Sequence, residues 1–149
     1  HHGVVLMALV AATIDIGFLS LDFTDIDTLF ATPQTIVAAP GAGIVLVPLT
    51  LSAHRTQSTG AWSAVRDLQV QYAGDTTQLA RTMSFFWTSA GTRDEFGSQL
   101  MLQTLSGANN FDPSNKALQL TFAAGDMSSG AADSILNVHL LYAKISGLY

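Results

Sequence analysis

Strict alternation of apolar and polar residues is the feature that most narrows what this chain can fold into. Leu68-Gln69-Val70-Gln71-Tyr72 and Leu118-Gln119-Leu120-Thr121-Phe122 repeat with period two. An extended strand puts such residues on opposite faces, whereas a helix would scatter them around its axis. Both segments read as half-buried antiparallel strands. In Ile135–Ile145, Leu136, Val138, Leu140 and Tyr142 share one face in the same way. Ile14, Ile16 and Phe18 alternate, and the apolar positions then change parity to Leu19, Leu21 and Phe23, which predicts a bulge near Gly17. Ile44-Val45-Leu46-Val47 suits a strand buried on both faces, continuing to Ala53 past Pro48. Pro48 has no amide hydrogen to give a ladder, so it is expected at an edge or bulge.

Gln34–Ala38, Met83–Trp87 and Leu100–Leu105 bring the expectation to about eight strands. Gly-, Pro- and Asn-rich turns separate them, among them Ala39–Gly43, Gly107–Asn110 and Asp112–Asn115. Thr92-Arg93-Asp94-Glu95-Phe96 has the makings of one helical turn, with a Thr cap and early acidic residues, soon interrupted by Gly97. The pattern predicts an all-β antiparallel sandwich or small barrel. At 149 residues the chain is expected to be a single β-sandwich domain, 1–149.

Composition decides between partners. With 6 Lys and Arg against 11 Asp and Glu, the net charge of -5 offers no basic footprint, so direct nucleic-acid binding is not expected. The absence of cysteine excludes disulfides, Cys-ligated zinc and thiol nucleophiles. Only 11% of residues are charged, against about 25% in a typical soluble protein, and the mean hydropathy is +0.34. That combination predicts apolar surface covered by another subunit. The apolar run containing Val4, Val5, Leu6, Met7 and Leu9 stops well short of the ~20 residues of a membrane-spanning helix, so no membrane partner is expected. Residues 1–12 are read as an N-terminal docking arm or strand, those five being candidate partner contacts. His1-His2 are assigned no function.

No set of residues assembles into a reaction, and no catalytic, metal or cofactor site is expected. Asp22, Asp25 and Asp27 lack the glycine and closing glutamate of a calcium loop and read as a solvated turn. Ser52, His54 and Asp67 are the residue types of a hydrolytic triad, without a G-x-S-x-G elbow around any serine. His139 reads as a hydrogen-bonded strand residue rather than a catalytic base. Gly41-Ala42-Gly43 resembles the start of a phosphate loop but leads into a strand, so it reads as a turn that needs positive φ. Trp62, Tyr72, Phe85, Phe86 and Trp87 could stack on sugars or on a partner; Trp62 and Trp87 are the candidate contacts.

Thr32-Pro33-Gln34-Thr35-Ile36-Val37-Ala38-Ala39-Pro40-Gly41-Ala42-Gly43 resembles a T-P-x-T-[IL]-V-x-A-P-G-A-G motif of small tailed-bacteriophage structural proteins. The likeness continues loosely through Ile44–Ala53, the strand ending in Tyr72 and the strand with Tyr142. Ile44 departs from the Lys expected in many relatives. The resemblance implies a jelly-roll sandwich that forms homotrimers on the virion. It implies a non-enzymatic capsid decoration, or cement, protein on the outer surface of the head, with the major capsid protein as partner. The alternative it leaves is a head- or tail-fibre adhesin that binds host surface glycans. Thr32, Pro33, Thr35, Pro40, Gly41 and Gly43 read independently as a strand–turn–strand device: Thr32-Pro33 favours extended backbone and Pro40-Gly41 sets a turn.

Overall fold

The computed structural model describes residues 11–57, 62, 66–74, 81–83, 93–101, 111–127 and 132–148. Among them are eight strands and one short helix. In chain order they are β1 (Ala12–Leu21), α1 (Phe23–Asp27), β2 (Gln34–Val37), β3 (Ile44–Gln57), β4 (Leu68–Tyr72), β5 (Arg81–Met83), β6 (Arg93–Leu100), β7 (Leu118–Phe122) and β8 (Ile135–Ser146). The first sheet has the order β1-β8-β3-β6 and the second the order β2-β7-β4-β5. All the ladders are antiparallel.

These ladders reduce to one rule. First pairs with eighth, second with seventh, third with sixth and fourth with fifth. The chain is therefore one long hairpin rolled up, with β3·β8 and β4·β7 as the ladders added by the rolling. This is the jelly-roll form of the β-sandwich, and only the β4–β5 connection stays within one sheet.

The period-two segments do what their pattern predicts. Leu68, Val70 and Tyr72 of β4, Leu118, Leu120 and Phe122 of β7, and Leu136, Val138, Leu140 and Tyr142 of β8 belong to one buried cluster between the sheets. The Tyr72 hydroxyl donates to the Leu46 carbonyl across the core, which satisfies the one polar atom its ring carries inward. Pro48 lies where the β3·β8 register shifts, between Pro48 and Thr50, so its missing donor costs no ladder bond.

Three expectations are corrected. β1 has no bulge at Gly17: its pairing with β8 runs without a break from Ala12↔Ile145 to Leu21↔Leu136. Gly17 and Leu21 are buried toward the core, while Ile14, Ile16 and Phe18 point the other way and are exposed. Arg93–Phe96 is not a helical turn but the first part of β6, paired with Gln57–His54 of β3. Eight ladder pairs outweigh a local capping preference. Asp22-Phe23-Thr24-Asp25-Ile26-Asp27 is not an irregular solvated turn but α1 with a capping box: Asp22 Oδ1 accepts from the Asp25 amide at 3.0 Å and Asp25 Oδ2 from the Asp22 amide at 3.4 Å. Of the expected strand Met83–Trp87, only Met83 is seen, closing β5; Phe85–Trp87 lie outside the described residues. Leu100 closes β6, and residues 102–110 also lie outside them.

Between β2 and β3 the chain turns and passes from the second sheet to the first. Gly41 and Gly43 have φ of 110° and 73°, which glycine adopts without steric cost. The Gly41 amide donates to Asn115 Oδ1 at 2.9 Å and the Asn115 amide to the Ile44 carbonyl at 2.9 Å, tying this turn to the loop before β7.

Gly17 closes the side where the two edge strands meet. The β2·β7 register shifts between Thr35 and Val37, and Ile36 and Val37 are both buried. A Cβ on Gly17 would lie 2.8 Å from the Ile36 carbonyl oxygen and 2.8 Å from Val37 Cγ2. Gly17→Ala is expected to destabilise the fold by about 1–3 kcal/mol, the cost of overpacking a close contact, measurable by denaturant unfolding.

Candidate functional site

The two sheets differ in what they show to water. The second sheet carries Thr35, Gln69, Gln71, Gln119 and Thr121 at the positions between its core residues. Gln71 Nε2 donates to Gln119 Oε1 at 3.4 Å, and Thr121 Oγ1 donates to the Leu29 carbonyl at 3.2 Å. This row is polar but only partly open to water, since Gln71 and Thr121 are buried beneath neighbouring chain.

The first sheet carries exposed apolar residues along its two margins and a largely polar centre. Its register aligns Ile16 with Leu141, Leu141 with Thr50, and Thr50 with Leu100. The next outward row is Phe18, His139, Ser52 and Ser98, and the row beyond it is Ser20, Asn137, His54 and Phe96. Phe96 is 71% exposed, Ile14 68% and Leu100 65%, with Ile16 and Phe18 more than half exposed. Between the β1 and β6 margins lies a shallow groove of about 450 Å³ lined by Ile16, Thr50, Ser52, Phe96, His139 and Leu141. The Phe18 and His139 rings lie 4.8 Å apart, tilted by 45°, and Ser52 Oγ is 3.0 Å from Ser98 Oγ. Two apolar margins with a groove between them form a surface built to be covered.

The expected partner contacts fall differently. Trp62 is not on the surface: it is 1% exposed, belongs to the core, and stacks on Phe23 at 5.5 Å. Val4, Val5, Leu6, Met7, Leu9 and Trp87 lie outside the described residues. Tyr72 is a core residue, so neither it nor Trp62 offers a face to a sugar. The surface residues that the sequence reading missed are Ile14, Ile16, Phe18, Phe96 and Leu100. For Ile14, Ile16 and Phe18 the signal is the apolar residues at both parities of β1, which a bulge explains equally well; Phe96 and Leu100 stand in β6 without such a pattern.

The chemical candidates remain apart. Ser52 and His54 lie on the outer face of β3, while Asp67 precedes β4 in the other sheet. The carboxylates of Asp22 and Asp25 cap α1, and among the described residues no group of three or more His, Asp or Glu could hold a metal ion. Among the same residues no helix is long and apolar enough to cross a membrane.

No protein-family model matches the chain, and no curated protein is similar to it in sequence. Among solved structures it is similar to a chain of the cyanophage Pam1 capsid asymmetric unit, with 14% identity and a TM-score of 0.43 over 90% of this chain and 85% of that one. A likeness at that level carries no argument about ancestry or role.

One titration belongs to the β1 edge. Burial raises the Tyr142 hydroxyl above the usual phenol value, and the charge of Asp15, which accepts its hydrogen bond, raises it further. The folded state therefore holds this proton more tightly than the unfolded chain. The stabilisation is complete below pH ~10 and is lost as the pH rises through the raised value. Tyr142→Phe is expected to lose less of its urea midpoint than the wild type between pH 8 and strongly alkaline solution.

Proposed function

We propose that the protein is a non-enzymatic structural component of a bacteriophage virion, a homotrimeric decoration protein seated on the outer surface of the head against the major capsid protein. The observation that carries this reading is the pair of exposed apolar margins, Ile14, Ile16 and Phe18 on β1 and Phe96 and Leu100 on β6, that flank the outer face of the first sheet. A β-sandwich with exposed apolar margins on one sheet is suited to standing between other subunits. The Thr32–Gly43 resemblance supports the same assignment, since its residues shape the crossing between sheets and assemble no reactive group. The loss of Trp62 and Tyr72 as stacking faces removes much of what favoured a glycan-binding adhesin.

The test is binding of the purified chain to phage heads that lack it, with its solution mass and the position of labelled copies on the particle. Binding to heads as a trimer without a response on a glycan array is expected. A chain that ignores heads, or binds glycans through Trp87, overturns the reading. Deleting residues 3–12 is expected to lower occupancy on heads; unchanged occupancy would remove the arm from the contact.

A further inference from the structure

The exposed apolar residues of the first sheet stand at its two margins, and the backbone at those margins says what could meet them. The Ala11 carbonyl accepts from the Ser146 amide at 3.0 Å, one step beyond the Ala12↔Ile145 pair. Antiparallel ladders alternate bonded and unbonded pairs, so along the unbroken β1·β8 register the odd-numbered residues of β1 spend their backbone groups on β8. The amides and carbonyls of Ile14, Ile16, Phe18 and Ser20 therefore point the other way, out of the sheet edge. The opposite margin follows the same rule. The Met101 amide donates to the Leu49 carbonyl at 2.7 Å, one step beyond Thr50↔Leu100, so the odd-numbered residues of β6 are bonded to β3 and the groups of Phe96, Ser98 and Leu100 point outward.

On each edge the residues with outward backbone groups are thus the ones with exposed apolar side chains: Ile14, Ile16 and Phe18 on β1, Phe96 and Leu100 on β6. Edge strands are ordinarily guarded by lysine, proline or a bulge. β1 has none of these, and β6 carries no charge from Phe96 to Leu100. β2 approaches β1 on the core side, at Gly17, and among the described residues no backbone hydrogen bond joins the two. Asp15 Oδ1 accepts from the Ile16 amide at 2.8 Å, a bond that a ladder bond would replace.

We propose that the β6 edge of one copy pairs with the β1 edge of a second copy, extending the first sheet from molecule to molecule. The proposal rests on the structural-subunit reading and names the surface through which its copies meet. Three antiparallel ladders separate β1 from β6, so the two run in opposite directions and the joint between copies is antiparallel, with both outer faces on the same side. Bonds through the outward groups set even-numbered residues opposite one another, and charge selects the register. Phe18 opposite Phe96 brings Ile16 to Ser98, Ile14 to Leu100 and Ser20 to Asp94. A shift of two residues one way sets Asp94 against Phe18; the other way sets it against Asp22, where like charges meet.

By their fractional exposures the five apolar side chains bring on the order of 600 Å² to one joint, before the strand backbones and their flanks are counted, against ~1,200 Å² for the smallest stable interfaces. One head-to-tail joint covers both margins, whereas a two-fold joint of β1 with β1 leaves Phe96 and Leu100 bare. Head-to-tail joints close into rings when the rotation allows, as a homotrimer requires. The polar centre of the face, with Ser52, Asn137 and His139, lies between the joints and takes no part in them.

The experiment is disulfide cross-linking of the full chain, which has no cysteine of its own. Within one molecule Ile16 and Ser98 are three strand spacings apart, about 14 Å, too far for a disulfide. A chain carrying Ile16→Cys with Ser98→Cys can therefore link only to another copy, and oxidation at micromolar concentration is expected to give covalent dimers and closed trimers on a non-reducing gel. Ile16→Cys with Gln99→Cys, one residue out of phase, should link at least tenfold less. In analytical ultracentrifugation the wild type is expected to be assembled, and Ile16→Lys to weaken assembly at least tenfold with an unchanged circular dichroism spectrum, because that side chain points away from the core. A monomeric wild type, or no link through Ile16→Cys with Ser98→Cys, overturns the proposal. So does efficient linking by Ile16→Cys alone or Ser98→Cys alone, the mark of two-fold joints between like edges. Head binding is scored separately: linked trimers that ignore phage heads sink the virion reading alone, and head-binding monomers sink this proposal alone.

Discussion

The double ladder of β8 is the interaction on which the rest of the structure depends. β8 is hydrogen-bonded on both sides, to β1 from Leu21↔Leu136 to Ala12↔Ile145 and to β3 from Thr56↔Ile135 to Ile44↔Ser146. Holding these strands in register fixes parity for the whole first sheet. Leu136, Val138, Leu140 and Tyr142 face the core, and every neighbour opposite them must do likewise. A slip of one residue would bring Ile14, Ile16 and Phe18 inward and expel Leu21. The apolar margin of β1 is thus held outward by the same pairing that builds the core, so neither can change without the other.

Much of this architecture was legible in the amino-acid order, because period two is a local signal and the core strands obey it. β4, β7 and β8 fall where their alternation puts them, and Pro48 sits at a shift in register as its missing amide requires. β6 was hidden because its beginning, Arg93-Asp94-Glu95-Phe96, carries no alternation and imitates a capped helix; only the ladder with β3 makes it a strand. α1 was hidden for the reverse reason, since three aspartates in six residues suggest solvent until two of them close a capping box.

The candidate surface was harder to read than the fold. Two runs of apolar residues of opposite parity in β1 mean either a bulge or a strand greasy on both faces, and the sequence does not separate them. Gly17 tipped the reading toward a bulge. Its actual reason lies in the other sheet, where the Ile36 carbonyl and Val37 leave no room for a Cβ. Trp62 shows the converse limit: a tryptophan flanked by Gly, Ala and Ser reads as a surface ring, yet it stacks on Phe23 inside the core.

The rolled-hairpin connectivity also governs the order in which the molecule can be made. β1 and β3 leave the ribosome long before β8, the strand that joins them, so the first sheet has no centre until nearly all of the described chain has emerged. Pairing such distant segments is slow, because the entropy of closing the long loop is paid before any ladder bond repays it. In the interval β1 offers both its apolar faces and its unpaired edges to any neighbouring nascent chain. A cell making many copies at once would therefore bring identical half-finished molecules together at the stage when they are most adhesive.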